Sequence, residues 1–327
     1  MFLVERGQPE QPKILNPRTL SFSEHTDFFR KAFQSAPDAT FLVYNPSAAF
    51  ITPTGSYRAV RVDCSEGRTK SVIFRYANDG LTPHTERAFD LEDPFAANID
   101  GEIVFGGVAV DKSFDNEGRI VNLWRTILYR GRTIPELRPF FTGPEGMKDI
   151  RLVKRPDGRI GVYTRPRSLG NEALGGDGQI GYREFESLDQ LEKADSSNLN
   201  IENAPLLPFR FEKGHWGGVN HAQVLKSGKY QKWNLLTMHD AYKDPGDLLH
   251  YSTGFLLHNT ETGEVEELDI WITRDMLPEG PAKGKKEEKV VFPSETVIKK
   301  RKLRMSVGAS DAQIMEFEIP KPSKLAV

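Results

Sequence analysis

A single cysteine, Cys64, stands in 327 residues, which excludes an internal disulfide and a zinc site built from several thiolates. No stretch approaches the roughly 18 consecutive apolar residues of a membrane-spanning helix, and the start of the chain reaches Glu5 and Arg6 after four apolar residues. An excess of one charge is also missing. Lys and Arg number 44 against 46 Asp and Glu, so there is no basic field of the kind that recruits nucleic acid or an anionic membrane. These absences point to a soluble, cytoplasmic protein acting on a small polar substrate, with no nucleic acid and no membrane as partner. Ser323-Lys324-Leu325 is a peroxisomal-type tripeptide only when terminal, and Ala326 and Val327 follow it.

The usual catalytic signatures are missing as well. The glycines of Asn171 to Gly178 lack the Lys-Ser or Lys-Thr of a phosphate-binding loop. No Gly-x-Ser-x-Gly elbow and no His-Glu-x-x-His array occurs, and His215, His221 and His239 could meet only through the fold. No metal is expected. The basic run Lys299 to Lys302 reads as a solvated strand face.

What is present is a succession of short β runs bounded by Gly, Pro, Asn and Asp. Helix is sparse. Ser23 to Phe33 is the clearest case, with Ser23 as cap and Phe28, Phe29 and Phe33 on one face; Ser187 to Lys193 is a second, short and charged. One syntax recurs along the chain. A polar turn leads to a short strand, a tight turn and a second apolar strand, beginning at Tyr44-Asn45-Pro46, Glu92-Asp93-Pro94, Lys148-Asp149, Asn220-His221 and Val291-Phe292-Pro293. A unit of this kind cannot bury both of its faces alone, and its repetition around an axis is a β-propeller. The expected fold is an all-β, five-bladed β-propeller with a short N-terminal helical segment: residues 1–38 as an extension packing on the propeller, residues 39–327 as one domain.

In a propeller the innermost strands converge, so polar residues at their starts meet although distant in sequence. Asp100-Gly101 and Asp157-Gly158 read as hairpin turns. Asp93 and Asp149 precede apolar segments, and for them a turn and a site remain open alternatives. The Gly170 to Gly181 loop reads as a surface connection or a mobile cover over the pocket, and Gly280 to Lys289 as a solvated linker without chemistry.

The ordered series of motifs resembles the five-bladed propeller family of inverting mannoside phosphorylases and β-mannosidases (glycoside hydrolase family 130-like), and within it an offshoot labelled as a domain of unknown function in bacteria and trypanosomatids. The resemblance covers roughly residues 40 to 320. It rests on Asn45-Pro46 with Arg61; Glu92-Asp93-Pro94; Lys148-Asp149 with Thr164-Arg165-Pro166; Trp216-Gly217-Gly218 with Trp233 to His239 and Tyr251 to Gly254; and Val291-Phe292-Pro293 with Val307 to Asp311. Departures occur at Phe95, which stands where the family has arginine, at Asn220 and His221, which replace prolines, and at Asp240, which replaces a glycine.

The resemblance implies Asp93 as the acid that protonates the departing glycosidic oxygen, and Lys148, Arg165, His239 and Tyr251 as the phosphate cradle. Arg151 joins the cradle on its position beside Lys148. Asn45 and Arg61 are implied near the sugar or phosphate and Asp149 and Asp311 at sugar hydroxyls, with Asn220 and His221 as further substrate-binding candidates. The implied reaction is phosphorolysis or reverse synthesis of β-1,2-linked oligomannosides, with inorganic phosphate as co-substrate and no other cofactor. An inverting hydrolase, a GDP-mannose-dependent transferase and a non-catalytic glycan-binding propeller are the alternatives. The abundance of cationic candidates favours phosphate over water as nucleophile.

Overall fold

The structure, a computed structural model, describes residues 11–77, 80–114, 117, 120–166, 178–194 and 204–325. Five antiparallel sheets follow one another in chain order. Blade 1 is β2 (Phe41–Pro46), β4 (Gly55–Cys64), β5 (Arg68–Ala77) and β6 (Gly80–Phe89), with the short β3 (Phe50–Thr52) pairing β4. Blade 2 is β7 (Glu92–Ile99), β8 (Glu102–Phe114), β9 (Ile120–Gly131) and β10 (Arg138–Thr142). Blade 3 has β11 (Arg151–Lys154), β12 (Ile160–Thr164) and β13 (Gly181–Phe185) among the described residues, and blade 4 has β14 (Trp216–Val224), β15 (Asn234–Lys243), β16 (Leu249–His258) and β17 (Val265–Glu267). Blade 5 is β18 (Val291–Ile298), β19 (Lys302–Ala309) and β20 (Gln313–Pro320), completed by β1 (Leu15–Leu20) from the other end of the chain. The expected five-bladed propeller is the observed fold.

The reason for the ring lies in the core. The apolar clusters join residues of neighbouring blades: Phe89 and Leu91 meet Ile103 and Phe105 between blades 1 and 2, and Leu257 meets Val307 and Phe317 between blades 4 and 5. Each sheet therefore shields a neighbour's face, and burial of each large apolar side chain contributes about 1.5–3 kcal/mol. Closure comes from β1, which pairs antiparallel with β20. Arg18 of β1 binds Glu316, which also receives Arg58 of blade 1 and Arg304 of blade 5.

The N-terminal helix is α1 (Thr26–Phe33), preceded by a 3-10 turn over Ser23–His25. Ser23 does not cap it; no side-chain cap is made, and Thr26 Oγ1 donates instead to the Ser23 carbonyl at 2.8 Å. Phe29 and Phe33 are buried against Val60, Val62 and Phe74 of blade 1. The second helix, α2 (Leu188–Lys193), does have its serine cap, with Ser187 Oγ accepting from the Gln190 amide. No helix among the described residues is long and apolar enough to cross a membrane.

Candidate functional site

The innermost strands are irregular where they approach the axis. Register shifts interrupt β2 between Tyr44 and Pro46, β7 between Glu92 and Phe95, β14 between Val219 and His221, and β18 between Pro293 and Glu295. Such bulges bend a strand and re-aim a side chain. Asn45, Asp93 and Asp149 moreover take left-handed backbone, with φ of 43°, 46° and 62°, a conformation that Asn and Asp tolerate better than other non-glycine residues. Asp93 and Asp149 thus combine turn-type backbone with side chains held by other polar groups. Asp100 and Gly101 (φ 53° and 78°) form the tight β7–β8 turn, and Asp157 Oδ1 accepts from the Arg159 amide in the β11–β12 turn.

Asp93 is 8% exposed. Its Oδ1 accepts from Asn45 Nδ2 at 2.8 Å and from Arg61 Nη1 at 3.1 Å. Burial alone would raise its pKa, but Arg61, Lys148 and the Asn45 hydrogen bond outweigh burial and hold it below the ordinary carboxylate value. Asn45 is seated by Gly308, where an added Cβ would lie 1.9 Å from Asn45 Oδ1 and 2.8 Å from its nitrogen. Arg61 also pairs with Glu92 Oε2 at 3.2 Å and Asp63 Oδ1 at 3.1 Å and lies over the Tyr44 ring. Tyr44 Oη in turn donates to Asp63 Oδ2 at 2.5 Å, and Lys283 Nζ reaches the same oxygen at 2.6 Å. Burial pushes Asp63 up, yet Arg61 and the bonds from Lys283 and Tyr44 bring it to about 2.

At the start of blade 3, Asp149 is buried between two guanidinium groups. Arg165 Nη1 donates to Oδ2 at 2.7 Å and Arg151 Nη2 to Oδ1 at 3.2 Å. These charges overcome the effect of burial and hold Asp149 far below the ordinary range. Gly218 makes room for the pair: a Cβ there would lie 3.2 Å from Arg165 Cδ and 3.3 Å from Asp149 Cβ. Arg151 continues to the Asn220 carbonyl at 3.1 Å and lies over the Phe95 ring, 5.4 Å from its centroid. The phenylalanine that stands in place of the family arginine therefore supports a different arginine.

His239 completes this side. Its Nδ1 lies 2.7 Å from Asn220 Oδ1, and its ring stacks on Tyr251 at 5.6 Å and tilts against Phe292 at 5.1 Å. Tyr251 Oη accepts from Trp216 Nε1 at 3.2 Å. Burial lowers the His239 pKa to about 3, against the opposing pull of Asp149, so the ring is neutral near pH 7 and contributes hydrogen bonds rather than charge. Asn220 Oδ1 puts the proton on Nδ1 and leaves Nε2 as an acceptor. Lys148 makes no ion pair among the described residues, and its charge acts on Asp93, Asp149 and His239.

Asp311 reaches the same region from the β19–β20 turn, where Ser310 and Asp311 both have positive φ (51° and 48°). Arg274 Nε donates to Ser310 Oγ at 2.8 Å and Ser310 Oγ to the Glu288 carbonyl at 3.1 Å, pinning the turn. Burial raises the Asp311 carboxyl to about 6; Arg61 pulls it down and Asp93 pushes it up.

His221 is the candidate that the fold does not bring in. It lies past the β14 bulge, accepting from the Thr296 amide at 3.5 Å, and the charges acting on it belong to Glu295 and Arg58. His215, for its part, binds Asp240 at 3.1 Å, so the three histidines do not converge. Sequence reasoning passed over Tyr44, Asp63, Glu92 and Lys283. Asp63 was discoverable as the residue two positions after Arg61, on the same strand face. The Gly280 to Lys289 segment is more than a solvated linker: Lys283 binds Asp63, and its amide donates to the Ser310 carbonyl at 2.9 Å. Of the Gly170 to Gly181 loop, residues 170–177 lie outside the described residues.

The profile of a family described as a protein of unknown function, DUF1861, matches residues 31–324. No curated protein matches the chain. Among solved structures the chain is similar to MPT-4, a mannose phosphorylase from Leishmania mexicana in complex with phosphate ion. That match has a TM-score of 0.77 and 25% identity and covers 96% of this chain and 91% of that one. It is similar in fold to MPT-1, a GDP-Man-dependent mannosyltransferase from Leishmania mexicana, with TM-score 0.71, 24% identity and coverage of 94% and 96%. It is similar in fold also to a β-1,2-mannobiose phosphorylase from Listeria innocua, with TM-score 0.56, 14% identity and coverage of 88% and 93%.

Proposed function

Since the chain belongs to the DUF1861 family and its structural neighbours are carbohydrate-active enzymes, we propose that it transfers a mannosyl unit between phosphate and a mannoside hydroxyl, with inversion, in a single displacement. The observation that carries this reading is the grouping of a buried carboxylate, Asp93, with side chains suited to phosphate, Arg165, His239 and Tyr251, and with Lys148, whose charge acts on both Asp93 and His239. In the phosphorolytic direction a phosphate oxygen bonds to the anomeric carbon as the glycosidic bond breaks, and Asp93 gives its proton to the departing oxygen. In the synthetic direction the acceptor hydroxyl bonds to the anomeric carbon of mannose 1-phosphate. Its proton passes to Asp93, and phosphate leaves with the bonding electrons. The lowered pKa of Asp93 supplies the carboxylate that synthesis needs; phosphorolysis needs it protonated, a state that bound phosphate favours by offsetting Lys148 and Arg61.

Hydrolysis has less support. It calls for a second carboxylate to activate water, and Asp149, the carboxylate on that side, is held by two arginines. Transfer from GDP-mannose is a second reading, favoured by the same ionised Asp93, which acts as base toward an acceptor hydroxyl whatever phosphate departs.

The test is initial-rate assay with mannose 1-phosphate or GDP-mannose as donor and mannose or β-1,2-mannobiose as acceptor, following phosphate or GDP release. Asp93→Asn is expected to lower kcat by about 10²–10⁴-fold. Full activity in that variant would remove Asp93 from the chemistry, and absence of transfer from either donor would remove the proposal.

A further inference from the structure

Blade 2 stands taller than its neighbours. β8 has 13 residues and β9 has 12, where no other strand among the described residues exceeds 10. In their register Val108 faces Thr126, Val110 faces Trp124 and Lys112 faces Asn122, so one face of the hairpin carries Val108, Val110, Trp124 and Asn122 together. That face bounds a cavity of about 180 Å³ whose other walls are Glu92, Asp93 and Lys148. The candidate acid thus forms part of the wall of this chamber. Trp124 is fixed there by two bonds to one residue: its indole N–H donates to the Gly146 carbonyl at 3.1 Å, and the Gly146 amide donates to the Trp124 carbonyl at 2.8 Å. Val110 leaves 40% of its surface open beside it, one of three exposed large apolar side chains noted among the described residues.

We propose that this chamber is the acceptor subsite, that it takes a pyranoside, and that Trp124 is the residue that selects it. The inference rests on the transfer reading given above. A pyranose has an apolar C–H face and a rim of hydroxyls, and the chamber offers the matching pair: an indole and two valines, bordered by the Asn122 amide, the Glu92 carboxylate and the Lys148 ammonium. The position follows the demands of single displacement. The oxygen that exchanges its proton with Asp93 must lie on the Asp93 side of the transferred sugar, and phosphate must lie on the opposite side. Arg165, His239 and Tyr251 come from blades 3 and 4, whereas the chamber opens from Asp93 into blade 2. An acceptor held against Trp124 presents its hydroxyl to Asp93. As the new bond from that oxygen to the anomeric carbon forms, the bond to phosphate breaks and the hydroxyl proton moves to the carboxylate.

Trp124→Ala and Trp124→Phe are compared with the parent protein at saturating donor while β-1,2-mannobiose is varied. The expected result is an acceptor KM raised about tenfold or more in Trp124→Ala, partial recovery in Trp124→Phe, and a KM for mannose 1-phosphate within about twofold of the parent. Asn122→Ala, at an exposed position, is expected to raise the acceptor KM by a smaller factor and serves if the alanine variant at Trp124 does not fold. Unchanged acceptor KM in Trp124→Phe and Asn122→Ala, with transfer intact, overturns the subsite and leaves the transfer reading standing. If the parent protein transfers from neither donor, the transfer reading falls and the chamber is judged by binding. Saturation-transfer NMR of β-1,2-mannobiose that is present in the parent and lost in Trp124→Phe or Asn122→Ala supports it, whereas equal signals, or none in the parent, overturn it.

Discussion

Asp93 needs its neighbours more than its own chemistry suggests. Asn45 donates to the oxygen that also receives Arg61, and Gly308 leaves no space beyond Asn45 for a side chain. Gly308→Ala is therefore expected to push Asn45 off Asp93, with a stability cost of about 1–3 kcal/mol from overpacking and a loss of transfer larger than that cost explains. Activity assays at a temperature where both proteins are fully folded separate the two effects, and a variant with parental kcat would show that Asn45 does not position the acid. At this scale the sequence was readable where a motif combined chemistry with a turn, as at Asn45, Asp93 and Asp149. It was unreadable at Lys283 and Trp124. Lys283 sits in a run of mixed charge that looks solvated until the fold sets it against Asp63, and Trp124 on β9 resembles any strand aromatic until the hairpin register turns it toward Asp93.

At the scale of elements, the strand that closes the ring is the one with the weakest signal. Leu15–Leu20 contains Asn16 and Pro17 and is exposed along most of its length, as an edge strand tolerates. Alternation of apolar and polar residues, which exposed the inner strands, is absent from it. Its contribution is nevertheless specific, because Arg18 brings a cation to Glu316, which Arg58 and Arg304 also bind. Removing residues 1–20 is expected to uncover the β20 edge, lower the thermal midpoint and promote association. Calorimetry and light scattering on the truncated chain test this, and a monomer with the parental midpoint would show that blade 5 closes without β1. Hairpins with local turn chemistry, such as Asp100-Gly101, were legible for the complementary reason: nothing distant is required to form them.

Across the whole molecule, histidines whose pKa burial lowers, His221, His239 and His258, are expected to make the fold sensitive to acid. Burial lowers His258 to about 4 and His239 to about 3 from an ordinary 6.5. In the window between those values and 6.5 the unfolded chain binds protons that the native ring does not, so stability falls as pH falls. Asp311 works in the opposite sense. Its carboxyl, raised to about 6 from 3.8, holds a proton in the native state that the unfolded chain releases, and it favours the fold as pH drops through that interval. His258, bonded to Tyr163 Oη at 2.9 Å and remote from Asp93 in the blade 3 and 4 packing, isolates one of these contributions. Urea unfolding between pH 6 and 4.5 is expected to show His258→Gln losing about 1.4 kcal/mol per pH unit less than the parent; parallel slopes would clear His258 of the effect. The repeating syntax revealed this architecture because every blade announces its inner strand, whereas the partner that each blade face meets is fixed only by closing the ring.

The left-handed backbone at Asn45, Asp93 and Asp149 has a consequence for how such a site changes over generations. Side chains other than Asn, Asp and Gly are strained there, so three blades draw on nearly the same short alphabet. A one-letter exchange between Asn and Asp moves a proton-transfer group on or off a blade while leaving the backbone undisturbed. Asp93→Glu, conservative on paper, breaks that rule, while Asp93→Asn keeps it. Gain, loss and relocation of catalysis around the axis are thus small evolutionary steps on this scaffold.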